Sequence, residues 1–359
     1  MTDRTSLSRA FDIQAAYCVA AGAPFSASLL TRAGQDIADG GPLATLMTPW
    51  VRAPTPTVLA DAVPLRWLGC LHDLALSGEA PDLSVAYPRD PQPGDGAAAW
   101  VAARSAMIAL HDRFAAFMSH EPQTNEVRRS ACLAPGFLTV AERTGLPLRI
   151  FEIGASAGLN QLWDRYSYDF GEAGIWGPPA SGVRLTADWQ GPPLPKGALV
   201  SVIARAACDR KPVDIRDPTA RRRLKAYIWA EQFDRLARLE GAIAMALAAD
   251  TRVEAEDAVS WAASRAAPKP GAVSVLFHSV FWQYMSTDSQ AALTVVIAKH
   301  GALATADAPF AWLRMEPPPG SLVDMELRLG LWPSGEDRIL AKVHPHGATI
   351  NWAAANPED

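Results

Sequence analysis

The residues best suited to chemistry in this chain are gathered in one short stretch, Leu148-Arg149-Ile150-Phe151-Glu152-Ile153-Gly154-Ala155-Ser156-Ala157-Gly158-Leu159-Asn160. Glu152 brings a carboxylate, Ser156 and Asn160 bring short polar groups, and Gly154 and Gly158 lack the Cβ atoms that would keep a ligand off the backbone. A carboxylate accepts hydrogen bonds from hydroxyl or amino groups, and a serine hydroxyl becomes a nucleophile when a base stands beside it. Such groups must be positioned. The apolar, β-branched run before the glycines predicts a strand, and Leu159, Leu162, Trp163 and Tyr166 recur after them at helical spacing. The stretch therefore reads as strand, tight loop and helix, with Glu152 at the C-terminal end of the strand and the first N–H groups of the helix free to meet electron-rich atoms. In an open α/β sheet that edge is where ligands bind.

Two family patterns share these residues. Read as Glu-x-Gly-x-x-x-Gly, the stretch resembles the first motif of Rossmann-like S-adenosylmethionine-dependent methyltransferases, in which an acid ends the first strand and a Gly-rich loop holds the amino-acid part of the cofactor. Read as Gly154-x-Ser156-x-Gly158, it resembles the nucleophile elbow of an α/β-hydrolase, with Ser156 as nucleophile and His344 or His346 in the right order after it.

The remainder of the chain bears on that choice. Its 359 residues suggest two domains. The composition is that of a globular protein, and a net charge of −5 carries no basic field for nucleic acid. Cys18, Cys70, Cys132 and Cys208 are scattered, which excludes a zinc ribbon or disulfide framework and fits reduced core thiols. No apolar leader or membrane-length run is visible, so a cytoplasmic protein acting on a small molecule is expected. The oligomeric state is not encoded in any pattern we recognise.

Residues 1–120 read as an all-helical N-terminal domain. It includes helical patterns at Pro64–Leu76 and Trp100–Met118, and His72 and His111 fall on apolar faces as core or boundary residues. The polar segment Gln123-Thr124-Asn125-Glu126 reads either as a helix cap or as side chains at the mouth of the site. From 121 to 359 the pattern is α/β. Strands at Leu148–Ile153, Val200–Ala207, Arg252–Ala258, Ala272–Phe277 and Phe310–Glu316 alternate with helices, the longest expected from about Pro218 to Ala249. Gly171–Pro195 reads as an inserted hairpin and loop. A hairpin around Pro333-Ser334-Gly335 and a short strand at Thr349–Trp352 close the chain. Alternation of this kind implies a mainly parallel sheet.

A mainly parallel sheet closed by a terminal antiparallel hairpin is similar to the methyltransferase arrangement, whereas the hydrolase pattern needs strands before its elbow. The methyltransferase resemblance implies that Glu152, Gly154, Ser156, Gly158 and Asn160 meet the methionine part of S-adenosylmethionine, that Asp209 holds the ribose, and that Asp257 with Ala258 meets the adenine. It places His278 as candidate base, with Ser279, Trp163, Tyr166, Trp282, Tyr284, Glu316 and His346, together with Gln123 and Asn125, around the methyl acceptor. No metal is implied. Two departures stand out: Ser156 replaces the middle glycine of the usual loop, and Asp209 lies far beyond the roughly 20-residue spacing of a ribose acid.

The chain as a whole resembles a bacterial family of unknown function, on the strength of Gln123-Thr124-Asn125-Glu126, Gly154 to Asn160, Trp163-Asp164-Arg165-Tyr166, His278-Ser279-Val280-Phe281-Trp282-Gln283-Tyr284 and His344-Pro345-His346-Gly347. A catalytic protein and a non-catalytic ligand binder both fit that resemblance.

Overall fold

The structure, a computed structural model, describes residues 4–195, 199–318, 320–321 and 324–353. The chain forms two compact units, Met1–Thr124 with Arg216–Ala237, and Asn125–Ile215 with Arg238–Asp359. The sequence pattern gave a single boundary near residue 120; the return of residues 216–237 to the first unit is a long-range event with no local signature.

The first unit contains helices α1 (Arg4–Ala20), α2 (Pro24–Ala38), α3 (Pro42–Leu46), α4 (Thr55–Ala60), α5 (Val63–Ser77), α6 (Pro81–Ala86), α7 (Gly96–Ala109) and α8 (His111–Met118). Their apolar faces bury Phe11, Trp67, Leu71 and Phe114, and the rings of Phe11 and Trp67 meet edge to face. The single helix expected over Trp100–Met118 breaks at Leu110, which leaves His111 exposed at the start of α8. His72 is buried, with Nδ1 2.9 Å from the Ile228 carbonyl, and burial lowers its pKa to about 4, so the ring is neutral at pH 7 and donates from Nδ1. The second unit begins with α9 (Arg129–Thr144).

The helix expected over Pro218–Ala249 is two helices, α10 (Pro218–Ala226) and α11 (Phe233–Ala248). The break between them serves another helix. Ala23 stands at the N-cap of α2 and has no side chain to satisfy the unpaired N–H groups there. Glu231, in the break, supplies the missing acceptor: its carboxylate takes the Ser26 N–H at 2.9 Å and the Ser26 hydroxyl at 2.7 Å. Arg222, in the run Arg221-Arg222-Arg223, reaches the buried carboxylate of Asp73 at 3.0 Å, which Arg113 also engages.

The second unit is α/β and mostly parallel. Its nine-stranded sheet has the order β5-β12-β11-β10-β9-β8-β1-β6-β7. The parallel half is β1 (Leu148–Ile153), β6 (Val202–Asp209), β7 (Glu254–Ala255), β8 (Val273–Ser279) and β9 (Phe310–Glu316). Strands β10 (Met325–Trp332), β11 (Glu336–Val343) and β12 (Thr349–Trp352) continue it antiparallel. The insertion after the central motif builds a small sheet from β2 (Ser167–Asp169), β3 (Ile175–Trp176) and β4 (Arg184–Thr186). It then sends β5 (Asp188–Gln190) to pair with β12 at the far edge, so it is more than the hairpin and loop the pattern suggested.

Side chains alternate across the sheet, and this decides which residues can meet. Phe137 of α9 packs on Phe277, so α9 covers one face. Helices α12 (Ala258–Arg265) and α13 (Thr287–Leu303) cover the other, with Trp261 against Phe151 and with Leu293 and Ile297 in the same cluster. Glu152, next to Phe151, therefore faces α9, while His278 and Glu316 face the side of α12 and α13.

Replacing Glu231 with Ala should destabilise the first unit by about 1 kcal/mol, the usual worth of a helix cap. Urea unfolding followed by circular dichroism measures it; an unchanged midpoint would mean that the cap contributes nothing.

Candidate functional site

The chain leaves β1, builds β6 and β7 on one side, and then crosses back to build β8 and β9 on the other. At such a reversal the loops leaving two neighbouring strands part and open a crevice at their C-terminal ends. The two loops here are Gly154–Gly158 after β1 and Val280–Met285 after β8. Both are strained. Gly154, Ser156 and Gly158 all have left-handed φ, at 64°, 54° and 72°, and Val280, a β-branched residue, has φ 53°. Serine thus occupies a position that glycine fills without strain, which gives a physical reading of its departure from the usual loop.

The bend after β1 is tied to its neighbour. Ala155 N–H donates to the Cys208 carbonyl at 3.1 Å, and Ser156 N–H to Asp209 Oδ2 at 2.9 Å. The other Asp209 oxygen takes the Lys211 N–H at 2.8 Å. The expected helix does not follow: Leu159–Arg165 is a kinked 3-10 segment, and its first N–H, that of Leu159, is taken by the Asn125 side chain at 3.0 Å. Asn160 is buried and accepts from the Ser130 hydroxyl at 2.8 Å.

Beneath this bend two polar atoms are buried without partners: Glu152 Oε2 and the Ser156 hydroxyl. Burial, reinforced by the charge of Asp209, holds the Glu152 carboxyl well above the usual carboxylate range. Trp163 and Tyr166, expected to wall an acceptor pocket, are wholly buried. Trp163 stacks on Phe137 with ring centres 4.3 Å apart, and the Tyr166 hydroxyl donates to the Leu159 carbonyl at 2.6 Å.

On the opposite face His278 is completely buried and both ring nitrogens are engaged. The Trp312 indole N–H donates to Nε2 at 3.0 Å, so Nε2 is unprotonated and the proton sits on Nδ1, 2.6 Å from Glu316 Oε1. The same carboxylate oxygen accepts the Phe281 N–H at 2.9 Å. Trp282 stacks on the imidazole at 5.8 Å, and the Arg314 guanidinium lies 3.8 Å over Trp312. In this arrangement the ring has no free nitrogen with which to take a proton from a substrate. Trp312 was invisible as a partner because it lies 34 residues away on another strand.

The start of α9 lies at the same edge of the sheet. Arg129 donates to the Pro345 carbonyl at 3.0 Å and to the Ser279 carbonyl at 3.3 Å, and His346 Nδ1 lies 3.5 Å from the buried Glu126. Backbone N–H of His346 donates to Nδ1 of His344, whose pKa is lowered by burial and by the neighbouring His346 and Arg128. Asn125, Glu152, Ser279, Glu316 and His346, distant in sequence, thus converge on one edge of the second unit. Others do not. Gln123 belongs to the first unit. Asp257 caps α12 by accepting from Val259 and Ser260 N–H, and buried Ala258 begins that helix. Tyr284 is 74% exposed.

A family model described as an uncharacterized protein conserved in bacteria (DUF2332) matches residues 8–352. The chain belongs to this family. No curated protein and no solved structure matches the chain. Among the described residues, no helix is long and apolar enough to cross a membrane and no group of three or more His, Cys, Asp or Glu residues could hold a metal ion.

Two substitutions test this description. Because the folded chain holds the Glu152 proton more tightly than the unfolded chain, its contribution is fully present below the unfolded pKa near 4.3 and is lost as pH rises through the raised folded value. Glu152→Gln, which cannot ionise, should therefore melt higher than the parent at pH 8, by roughly 2 to 4 °C for each kcal/mol recovered, with no such gain near pH 4. Ser156→Gly should add up to about 1 kcal/mol of stability by removing the left-handed penalty at that position. Equal melting at both pH values, or a destabilised Ser156→Gly, would contradict the respective account.

Proposed function

We propose that the second unit binds S-adenosylmethionine across the C-terminal ends of β1 and β8, and that the protein is a methyltransferase acting on a small molecule or protein. The observation that carries this reading is the pair of buried, unpartnered polar atoms, Glu152 Oε2 and Ser156 Oγ, set in a bend that is left-handed at three positions where the strand order reverses. Buried polar groups without partners are costly, and strained backbone persists where the surroundings enforce it. A ligand with donor groups would satisfy both atoms. Bound there, S-adenosylmethionine would supply a methyl group activated by its sulfonium.

The chain's own part is to bind and align. Glu152 and Ser156 would hold the polar end of the ligand. Asp209 keeps lone pairs beyond the two N–H groups it already accepts, and these suit a ribose hydroxyl. His278, engaged on both nitrogens, would position the loop after β8 through Glu316 rather than act as a base. The acceptor would then be a group nucleophilic without help from that ring.

A second reading, a non-catalytic binder of the same ligand, gains from that engagement of His278. The hydrolase alternative has the strained turn, but the Ser156 hydroxyl has no hydrogen-bonded base to activate it.

Calorimetric titration with S-adenosylhomocysteine tests the proposal. The parent should bind in the micromolar range, and Glu152→Ala, which removes the buried carboxyl under the bend, should bind about tenfold more weakly. No heat from a protein shown to be folded would sink the cofactor assignment, and labelling of Ser156 by a fluorophosphonate would replace it with the hydrolase.

A further inference from the structure

Phe281 does more than follow β8. Its ring lies against Gly154, so close that any Cβ at that position would run into it. The ring therefore covers the part of the β1 bend where the glycine backbone would otherwise be open to a ligand. The preceding residue carries the strain: Val280, branched at Cβ, is held left-handed. Its N–H donates to the Met315 carbonyl at 2.9 Å, and the next N–H, that of Phe281, donates to Glu316 at 2.9 Å. Beyond it a single 3-10 turn, Trp282–Tyr284, leads to α13, and the Gln290 side chain holds the Trp282 carbonyl at 2.9 Å.

These features describe a segment held at Val280 by Met315, at Phe281 by Glu316 and at Trp282 by Gln290, with its backbone strain at Val280. Glu316 is the fastening at Phe281, because one of its oxygens holds both the Phe281 N–H and the imidazole of His278, whose other nitrogen is fixed by Trp312. Its second oxygen, Oε2, is buried without a partner. Letting go of the Phe281 N–H would relieve Val280 and move the ring off Gly154. The strain thus works against the fastening, which brings the uncovered state within reach.

We propose that Val280–Tyr284 is a lid, that Phe281 occupies the ligand's place over Gly154 in the closed state, and that ligand binding requires the Phe281 N–H to leave Glu316. The identity of that ligand rests on the cofactor reading above; the lid itself does not. A ligand that binds only the open form sees its affinity reduced by the fraction of molecules that are open.

Three variants of the full chain set the two states apart. Val280→Gly removes the left-handed penalty and should favour the closed state roughly tenfold. Val280→Asn, which tolerates the same backbone region while keeping a side chain, should act in the same direction. Phe281→Ala uncovers Gly154. In amide hydrogen exchange, the Phe281 N–H of the parent should exchange faster than global unfolding allows. Both Val280 variants should slow it, and Phe281→Ala should speed exchange across Gly154–Gly158. S-adenosylhomocysteine should bind Phe281→Ala more tightly than the parent, and the Val280 variants more weakly, each by about tenfold.

If the Phe281 N–H exchanges only by global unfolding, and neither Val280 variant alters it, the segment is fixed and the lid is overturned. Equal affinity of the parent and Phe281→Ala for a ligand that both bind also overturns it, since the ring would then not occupy the ligand's place. If exchange responds as described while no variant binds S-adenosylhomocysteine, the lid stands and the cofactor reading falls.

Discussion

Strand β1 has a parallel neighbour on each side, and the C-terminal edge of the sheet depends on that constraint. With β6 on one flank and β8 on the other, the backbone leaving β1 must turn within a few residues or run into a neighbour. It turns through left-handed residues, and the turn is held from outside. Asp209, at the end of β6, holds the bend after β1. Glu316, at the end of β9, holds the bend after β8. The strand lying outward of each central strand thus ends in an acid that accepts a backbone N–H from the inner bend. These are charge-assisted bonds of the same kind as those that cap helices.

This pairing sorts the acids of the edge by what they already do. Asp209, Asp257 and Glu316 each accept backbone N–H groups, and their carboxylates organise loops and a helix start. Glu152 differs from them. It ends the central strand itself, lies under the bend, and has one oxygen with nothing to accept. A carboxyl in that position keeps its proton, since ionisation in a poorly solvated site near Asp209 would be unfavourable.

Much of the α/β half was legible in the sequence, for a simple reason. Strands buried on both faces are continuous apolar runs, so β8 and β9 stood out. The last hairpin had its Pro-Ser-Gly turn, and β12 falls at Thr349–Trp352 as expected. What local pattern could not supply was pairing at a distance. The 3-10 segment after Gly158 carries the same three- and four-residue spacing as a helix, and only Asn125, 34 residues upstream, reveals that its first N–H is taken. The site was legible as a list and not as a geometry. Strand alternation puts Glu152 and His278 on opposite faces of the sheet, and the partners that occupy His278 lie 34 and 38 residues further along the chain.

The cap that Glu231 provides to α2 has a consequence for how the molecule comes into being. A chain made from its N-terminus presents α2 some 205 residues before the carboxylate that completes it. Ala226 and Ala230 of the same returning segment are part of the core around Trp67. On a ribosome the helical unit must therefore wait, incomplete, while the strand and bend containing Glu152 emerge. A fragment cut after Thr124 would keep every helix of the opening region and still lack the piece that closes it.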